Sequence, residues 1–221
     1  MRNKFIIILL LTLASTTMFA RTQMREVVMD TICKAPLEQL QHVVDSFYYQ
    51  FQACPDSLFG WIYLGLEEVS TEKEEEKTKE SRDAIQLRYK DRVYDPTHKI
   101  GDVAIDIYVL GTRWWKDQHL VTQYVLTINP TKSRKAHMTA KYSGASILEA
   151  GDMIITMEPL ADGTTKVHYE FRLVFGRILS LFISDKTWTY ALQWRFETIF
   201  ENLIECAETG TVQYRFRGPK K

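Results

Sequence analysis

The feature that most constrains the fold is a long region in which apolar and polar side chains alternate. The alternation is clearest near residue 170, where Val167, Tyr169, Phe171 and Leu173 are interleaved with Lys166, His168, Glu170 and Arg172. A period of two is typical of a strand with one buried and one solvated face. Similar stretches recur from residue 84 onward, separated by turn signals such as Asn129-Pro130 and Ala161-Asp162-Gly163. They predict an antiparallel sheet.

After Gly176 the apolar pattern changes from the period of a strand to that of a helix. Large apolar side chains then recur every three or four positions, at Trp188, Leu192, Phe196, Ile199, Leu203 and Cys206. Ser184 or Asp185 is a suitable N-cap, and Gly210 is a suitable C-cap. A helix of about 22 residues is roughly 33 Å long, enough to cross a sheet. Since neither element can bury its apolar face alone, we expect them to pack together.

The N-terminal part of the chain predicts one further strand and one further helix. Residues 25–33 are rich in strand-forming side chains, and Pro36 opens a segment with helical spacing of its apolar residues. Residues 67–83 contain eight acidic and four basic side chains and no aromatic one. This charged segment is interpreted as a solvated loop or exposed helix, with an acidic docking surface as the alternative.

The first 20 residues have the composition of a secretory signal peptide. Arg2 and Lys4 precede an apolar run from Phe5 to Ala14, and small or polar residues follow up to Ala20. The run has half the length that a membrane-spanning helix requires. We therefore predict an exported protein, cleaved after Ala20 or alternatively after Ala14. No later stretch is long and apolar enough to span a bilayer, so no transmembrane segment is expected in the mature chain.

The charge balance argues against one class of partner. The chain has 28 basic and 28 acidic residues, and removal of the two bases in residues 1–20 leaves a formal charge of −2. Nucleic-acid-binding domains usually carry a basic excess, so no nucleic-acid partner is predicted.

No pattern of catalytic or metal-binding residues is evident in the sequence. The five histidines form no HxH or HxxxH pair, and the GxSxG, P-loop and GxGxxG motifs are missing. No catalytic residue, cofactor or metal is therefore predicted. Asp102 and Asp106 lie among apolar strand residues. Because Asp106 alternates with Ile105 and Ile107, we expect its carboxylate to face water; buried, it would be a candidate general base.

Three cysteines remain after the signal peptide. In an oxidising compartment Cys33 and Cys54 are close enough in sequence to form a bridge, which would leave Cys206 over. The alternative, which we favour slightly, is that all three are buried thiols.

Several tryptophans occupy positions that invite a specific interpretation. Trp114-Trp115 is expected in a turn between two strands, where it is either part of a cavity wall or mouth or, equally, an exposed tip that touches a membrane or a partner. On the last helix Trp188 belongs to the inward apolar stripe, whereas Tyr190 and Trp194 are expected to lie off it.

The chain resembles the START-like superfamily, which includes Bet v 1-type and polyketide cyclase-like proteins. The segment ITMEPLADGTTKVHYEFRLVFG, residues 155–176, is similar to the family's final hairpin. VVMDTICKAPLEQLQHVV is similar to its opening strand and first helix. The resemblance implies an α+β helix-grip fold, with a curved antiparallel sheet of six to seven strands packed on one long C-terminal helix. It covers nearly the whole mature chain, which we divide into a single domain (21–210) and a short basic tail (211–221).

The resemblance further implies an apolar cavity between the sheet and the last helix. The candidate lining residues are Ile107, Tyr124, Met138, Met157, Tyr169, Phe171, Trp188, Leu192 and Phe196. The leading hypothesis is an exported, non-catalytic protein that holds a hydrophobic small molecule or lipid. Two alternatives remain: an envelope module with a filled core that binds a protein partner, and an enzyme of the cyclase or hydrolase kind.

Overall fold

A computed structural model describes residues 23–53, 85–109, 112–143, 148–176, 180 and 184–211. The predicted signal peptide, the charged segment 67–83, Cys54 and all but the first residue of the basic tail lie outside these ranges. Within them, no helix combines the length and the apolar character needed to cross a membrane.

The described strands form one antiparallel sheet. They are β1 (Gln23–Cys33), β2 (Ile85–Asp95), β3 (Ile100–Val109), β4 (Thr112–Ile128), β5 (Arg134–Ser143), β6 (Leu148–Pro159) and β7 (Thr165–Phe175). The spatial order is β1-β7-β6-β5-β4-β3-β2, so the first strand pairs with the last and every other neighbour is joined in sequence. The alternation predicted for β7 is confirmed, since Val167, Tyr169, Phe171, Leu173 and Phe175 are all buried.

Two helical regions lie against the buried face of the sheet. Helix α1 (Leu37–Ala53) follows β1 directly. The C-terminal helix comprises a short turn (Asp185–Thr187), a π-helical turn (Trp188–Gln193) and a regular helix (Trp194–Thr209). Gly210 closes it in the left-handed conformation and donates its N–H to the carbonyl of Cys206, as predicted. The α+β fold class is confirmed, and this is the arrangement that the START-like resemblance implies.

The hairpin between β6 and β7 has the tight turn that its sequence predicts. Gly163 adopts a φ of 86°, a conformation that other residues rarely take. The Asp162 carboxylate accepts a hydrogen bond from the backbone N–H of Thr164 at 3.0 Å. These features fix the register of β7 beside β6.

The described cysteines are free thiols. Cys33 is buried and Cys206 is half-buried, and burial raises the pKa of both thiols. This agrees with the thiol interpretation for these two residues.

Two predictions for tryptophans are wrong. Residues Trp114 and Trp115 lie within β4, and Trp115 pairs with Ile107 of β3. Trp194, expected off the inward stripe, is buried. The π-helical turn before it carries more residues per turn than an α-helix, and this changes the direction in which later side chains point.

Candidate functional site

The predicted cavity residues are mostly packed against one another. Ile107 lies on β3 and Leu192 lies in the π-helical turn, but their side chains are outside the described part of the structure. The remaining seven candidates, Tyr124, Met138, Met157, Tyr169, Phe171, Trp188 and Phe196, are each at most 9 % exposed. Whether they contact a ligand remains a prediction.

One end of the sheet–helix interface is filled by stacked rings. Phe171 of β7 stacks on Phe196 of the C-terminal helix, with ring centroids 3.9 Å apart, and Tyr169 stacks on Phe200 at 5.0 Å. The Tyr169 hydroxyl donates to the carbonyl of Phe196 at 3.3 Å, and burial raises the pKa of this tyrosine. We call these four residues the ring-packed end. It brings strand and helix into direct contact and completes its own hydrogen bonds.

A second group of side chains anchors α1 to the sheet. Tyr124 of β4 donates its hydroxyl to Asp45 of α1. Asp45 also accepts a hydrogen bond from the amide of Gln41 at 3.0 Å. Burial and then the bond to Asp45 raise the pKa of Tyr124, and the Lys99 ammonium lies 4.9 Å from the centre of its ring. The Tyr124 hydroxyl is therefore already engaged within the protein.

Three neighbouring residues of the inward face of the sheet keep accessible surface, as do other inward positions such as Met29, Leu126 and Arg134. Leu120 of β4 is opposite Tyr142 of β5, and Ala140 lies one step along on the same face. All three are partly exposed, whereas Ala136 and Met138, farther along the same face of β5, are buried. We call Leu120, Ala140 and Tyr142 the tyrosine end of the interface.

Tyr142 combines accessible surface with a deeply buried position. Burial alone raises the pKa of its hydroxyl to about 12. No side chain or backbone group of the described chain is hydrogen-bonded to it. The side chain is therefore largely desolvated, while part of the residue keeps accessible surface. The hydroxyl is protonated at neutral pH and can donate a hydrogen bond to a bound molecule.

A bulge between β3 and β4 shapes the wall beside Tyr142. The pairing register shifts on both sides of Ile107, and Asp117 opposite this region has a φ of 51°. Asp106 accepts hydrogen bonds from the backbone N–H of Asp117 at 2.9 Å and from Arg113 at 3.2 Å. The prediction that Asp106 faces water is therefore wrong: its side chain is 5 % exposed and supports the bulge. Both carboxylate oxygens are occupied by these structural partners.

The bulge also sets the orientation of Gln118, which sequence reasoning overlooked. Gln118 is 8 % exposed and shares the inward face of β4 with Leu120. Its amide nitrogen donates to the carbonyl of Lys116 at 2.7 Å, so its oxygen points away from that carbonyl. This oxygen is buried and has no hydrogen-bond partner. Neither Gln118 nor Tyr142 belongs to a motif, but both have the inward parity of their strands, and that was the available signal.

Four of the five histidines lie on the outer face of the sheet or in its turns, and His42 lies on α1. His168 contacts Asp30 at 2.9 Å, and His137 contacts Asp152 at 3.1 Å. Among the described residues no three His, Cys, Asp or Glu side chains are grouped so that they could hold a metal ion. The four histidines outside α1 thus pair with acids, and the three of them on strands do so on the face turned away from the two helices.

Comparison with known proteins adds similarities of fold. No protein-family model and no curated protein matches the sequence. Among solved structures, norcoclaurine synthase from Thalictrum flavum aligns with a TM-score of 0.44 and 9 % identity, covering 85 % of this chain and 96 % of that one. A START superfamily protein from Mycobacterium smegmatis aligns with 0.43 and 10 %, covering 84 % and 99 %. A conserved protein from Geobacillus kaustophilus gives 0.43 and 12 %, covering 83 % and 95 %. At these identities and scores, the similarity carries no information about ligand or reaction.

Proposed function

We propose that this chain is an exported, non-catalytic binding protein that holds a hydrophobic small molecule or lipid between its sheet and its C-terminal helix. The observation that carries the proposal is the tyrosine end, where Leu120, Ala140 and Tyr142 keep accessible surface on the face of the sheet that packs against the helices. Concave sites with mainly apolar walls and a few polar groups are typical of small-molecule binding. The unpartnered hydroxyl of Tyr142 is such a polar group.

The ring-packed end limits where a ligand can sit. Strand and helix rings stack there, so a ligand would have to displace aromatic contacts worth about 0.5–1.5 kcal/mol each beyond the area they bury. At the tyrosine end, the side chain of Ala140 is the smallest that still has a Cβ. A ligand entering there leaves the Phe171–Phe196 and Tyr169–Phe200 stacks in place, although Trp188 in the first turns of the helix contacts Phe175 and Phe196. We therefore place the bound molecule beside Tyr142 and against the first turns of the C-terminal helix.

The direct test is native mass spectrometry of the protein purified gently from its own host. We expect a retained apolar molecule, released when the protein is denatured. Ala140→Leu adds three carbons to the floor of the site and should abolish retention. Thr139→Leu, one position along the strand and on the outer face, is the matched control and should keep it. A ligand-free mass for the wild type, together with no shift in melting temperature in a screen of fatty acids, sterols and polyketides, would contradict the proposal.

The export part of the proposal is tested separately. We expect the protein in the extracytoplasmic fraction, with a mature N-terminus at Arg21 or, for the alternative cleavage site, at Ser15. Cell fractionation followed by N-terminal sequencing measures both. Recovery of an uncleaved chain from the cytoplasm would contradict export and leave the binding site itself unaffected.

A second candidate function is an interaction module whose core is filled by its own side chains. The ring-packed end favours it, because Phe171, Phe196, Tyr169 and Phe200 already occupy the space between strand and helix there. This function predicts co-purification of one defined protein and no small molecule. It is distinguished from the first by Ala140→Leu, which should leave the protein complex intact.

A further inference from the structure

Two polar groups of opposite character lie side by side at the tyrosine end. Tyr142 is opposite Leu120, and Gln118 precedes Leu120 by two residues on the same face of β4. Gln118 and Tyr142 are therefore diagonal neighbours on adjacent strands, with Cβ atoms about 7–8 Å apart. The tyrosine presents a free hydroxyl donor. The glutamine presents a buried oxygen acceptor without a partner.

An unpartnered buried oxygen is costly, which makes the pair informative. A buried acceptor without a hydrogen bond costs about 1–3 kcal/mol, so native proteins usually satisfy it with protein, water or ligand. The amide orientation of Gln118 is fixed by the 2.7 Å bond from its nitrogen to the carbonyl of Lys116. Its oxygen is therefore held as an acceptor, and turning the amide over would break that bond.

We propose that the site recognises a neutral hydrophobic alcohol, whose single hydroxyl accepts a hydrogen bond from Tyr142 and donates one to the Gln118 oxygen. The inference rests on the proposed function and specifies the chemical class of its ligand. A hydroxyl is the smallest group that can both accept and donate. With two bonds of about 2.8 Å, it would bridge groups roughly 4.5–5.5 Å apart. An ether or ester can only accept, so it leaves the Gln118 oxygen unsatisfied.

The basic side chains at inward positions of the neighbouring strands disfavour an anionic ligand. Arg25 of β1 forms an ion pair with Asp185 at 2.6 Å, and Arg134 of β5 pairs with Glu38 at 3.0 Å. Both cations are thus already committed to acids of the helical regions. A fatty-acid carboxylate bound beside Tyr142 would face the Gln118 oxygen, and neither Arg25 nor Arg134 could compensate its charge without leaving its acid, which is unfavourable in a buried site.

The experiment compares three probes of equal length in calorimetric titrations of protein obtained by expressing the full chain. The probes are a primary alcohol from the C8–C14 series, its methyl ether and the corresponding carboxylate. For the wild type we expect the alcohol to bind about five- to tenfold more tightly than the ether, and the carboxylate to bind most weakly. Tyr142→Phe should weaken alcohol and ether alike, by about fivefold. Gln118→Met should remove the preference for the alcohol, because no acceptor remains to be satisfied.

Tyr48→Phe is the matched control, since the Tyr48 hydroxyl donates to the carbonyl of Met153 in the packed core. It should leave all three affinities in their wild-type ratio. If Gln118→Met fails to melt cooperatively, Gln118→Asn, which withdraws the oxygen by one carbon, replaces it. The inference is overturned if the alcohol shows no preference over the ether, if the carboxylate binds best, or if the Gln118 variant keeps the wild-type ratio of alcohol to ether affinity; ligand binding then still supports the proposed function. Binding of no probe, with no molecule retained in native mass spectrometry, overturns both.

Discussion

The two ends of the sheet–helix interface are built from the same alternating strands, but large rings fill one end and small side chains leave accessible surface at the other. At the ring-packed end, strand and helix each contribute large side chains, and Tyr169 is fully buried against Phe200. At the tyrosine end, Ala140 lies beside Gly151 of β6, so the sheet contributes little volume. Alternation decides which side chains point inward, but side-chain size at matching positions decides whether the interior closes.

The difference also separates two uses of a buried tyrosine. Tyr169 and Tyr48 donate to backbone carbonyls, and Tyr124 donates to Asp45, so their hydroxyls stabilise the fold. Tyr142 has no such bond within the described chain. We infer that Tyr48, Tyr124 and Tyr169 stabilise the fold, whereas Tyr142 serves ligand binding. Substitutions at the two ends of the interface test this inference.

Truncation of a ring at the ring-packed end should have the largest effect on the free energy of unfolding. Phe200→Ala removes a ring that is 2 % exposed and leaves a cavity, and such substitutions cost about 3–5 kcal/mol. Tyr142→Ala should cost less than half as much, because its side chain already borders free space. Urea denaturation of both variants measures the two values. Equal losses at the two positions would show that the interface is packed uniformly and would contradict the comparison.

Two glycines in the same cross-strand row should respond differently to an added methyl group. A Cβ at Gly101 of β3 would lie 2.9 Å from the Cβ of Gln52 and 3.0 Å from its backbone, which α1 holds in place. Gly101→Ala should therefore destabilise the protein by about 1–3 kcal/mol through overpacking. A Cβ at Gly151 would lie 3.3 Å from the end of the Leu173 side chain and at ordinary contact distances from the Arg172 carbonyl oxygen, 3.5 Å, and the Ala140 Cβ, 3.9 Å, so Gly151→Ala should cost less. Thermal unfolding compares them; the reverse order would mean that α1 is held loosely on β3.

Loss of the bulge support should have a smaller effect on stability and a visible one on binding. Asp106→Ala removes the acceptor for the N–H of Asp117 and for Arg113, at a cost of about 1–2 kcal/mol. Because the bulge orients Gln118, the preference for the alcohol over the ether should also decrease. Asp102→Ala on the same strand, whose partner is the half-exposed His119, is the control. An unchanged probe ratio in a destabilised Asp106→Ala would show that the bulge does not position Gln118.

Most of the architecture follows from the sequence, and the physical reason is periodicity. The alternation around Val167 and the helical spacing around Phe196 each reflect one repeated geometry, so element order and inward faces were predictable. Asp106, Trp194 and Gln118 were not, because each depends on a local departure from that geometry. A bulge buries Asp106 and fixes Gln118, and a π-helical turn redirects Trp194; neither has a reliable sequence signature.

The candidate site was less predictable than the fold for a different reason. Tyr142 and Ala140 have the same inward parity as Met138, and nothing in β5 alone distinguishes a residue that lines a space from one that fills the core. The distinction depends on the register with β4 and β6 and on which rings of the C-terminal helix reach the sheet. Those are contacts between distant parts of the chain, which a local pattern does not contain.

The smallest expected effect on stability concerns the outer face of the sheet, where histidine and acidic side chains form pairs instead of packing into a core. The hydrogen bond to Asp30, followed by the one to Glu170, raises the pKa of His168 above its ordinary value of 6.5. Since the folded-state pKa is raised, the protonated imidazole stabilises the fold. This contribution is fully present below pH 6.5 and is lost as the pH rises through the folded pKa. Stability should therefore decline slightly as the pH rises above 6.5, and His168→Gln should remove that slope. NMR titration measures the pKa of His168 directly in the wild type and in Asp30→Asn, and we expect a lower pKa in the variant. A wild-type pKa at or below 6.5 would show that the pairs of His168 with Asp30 and Glu170 do not stabilise the fold.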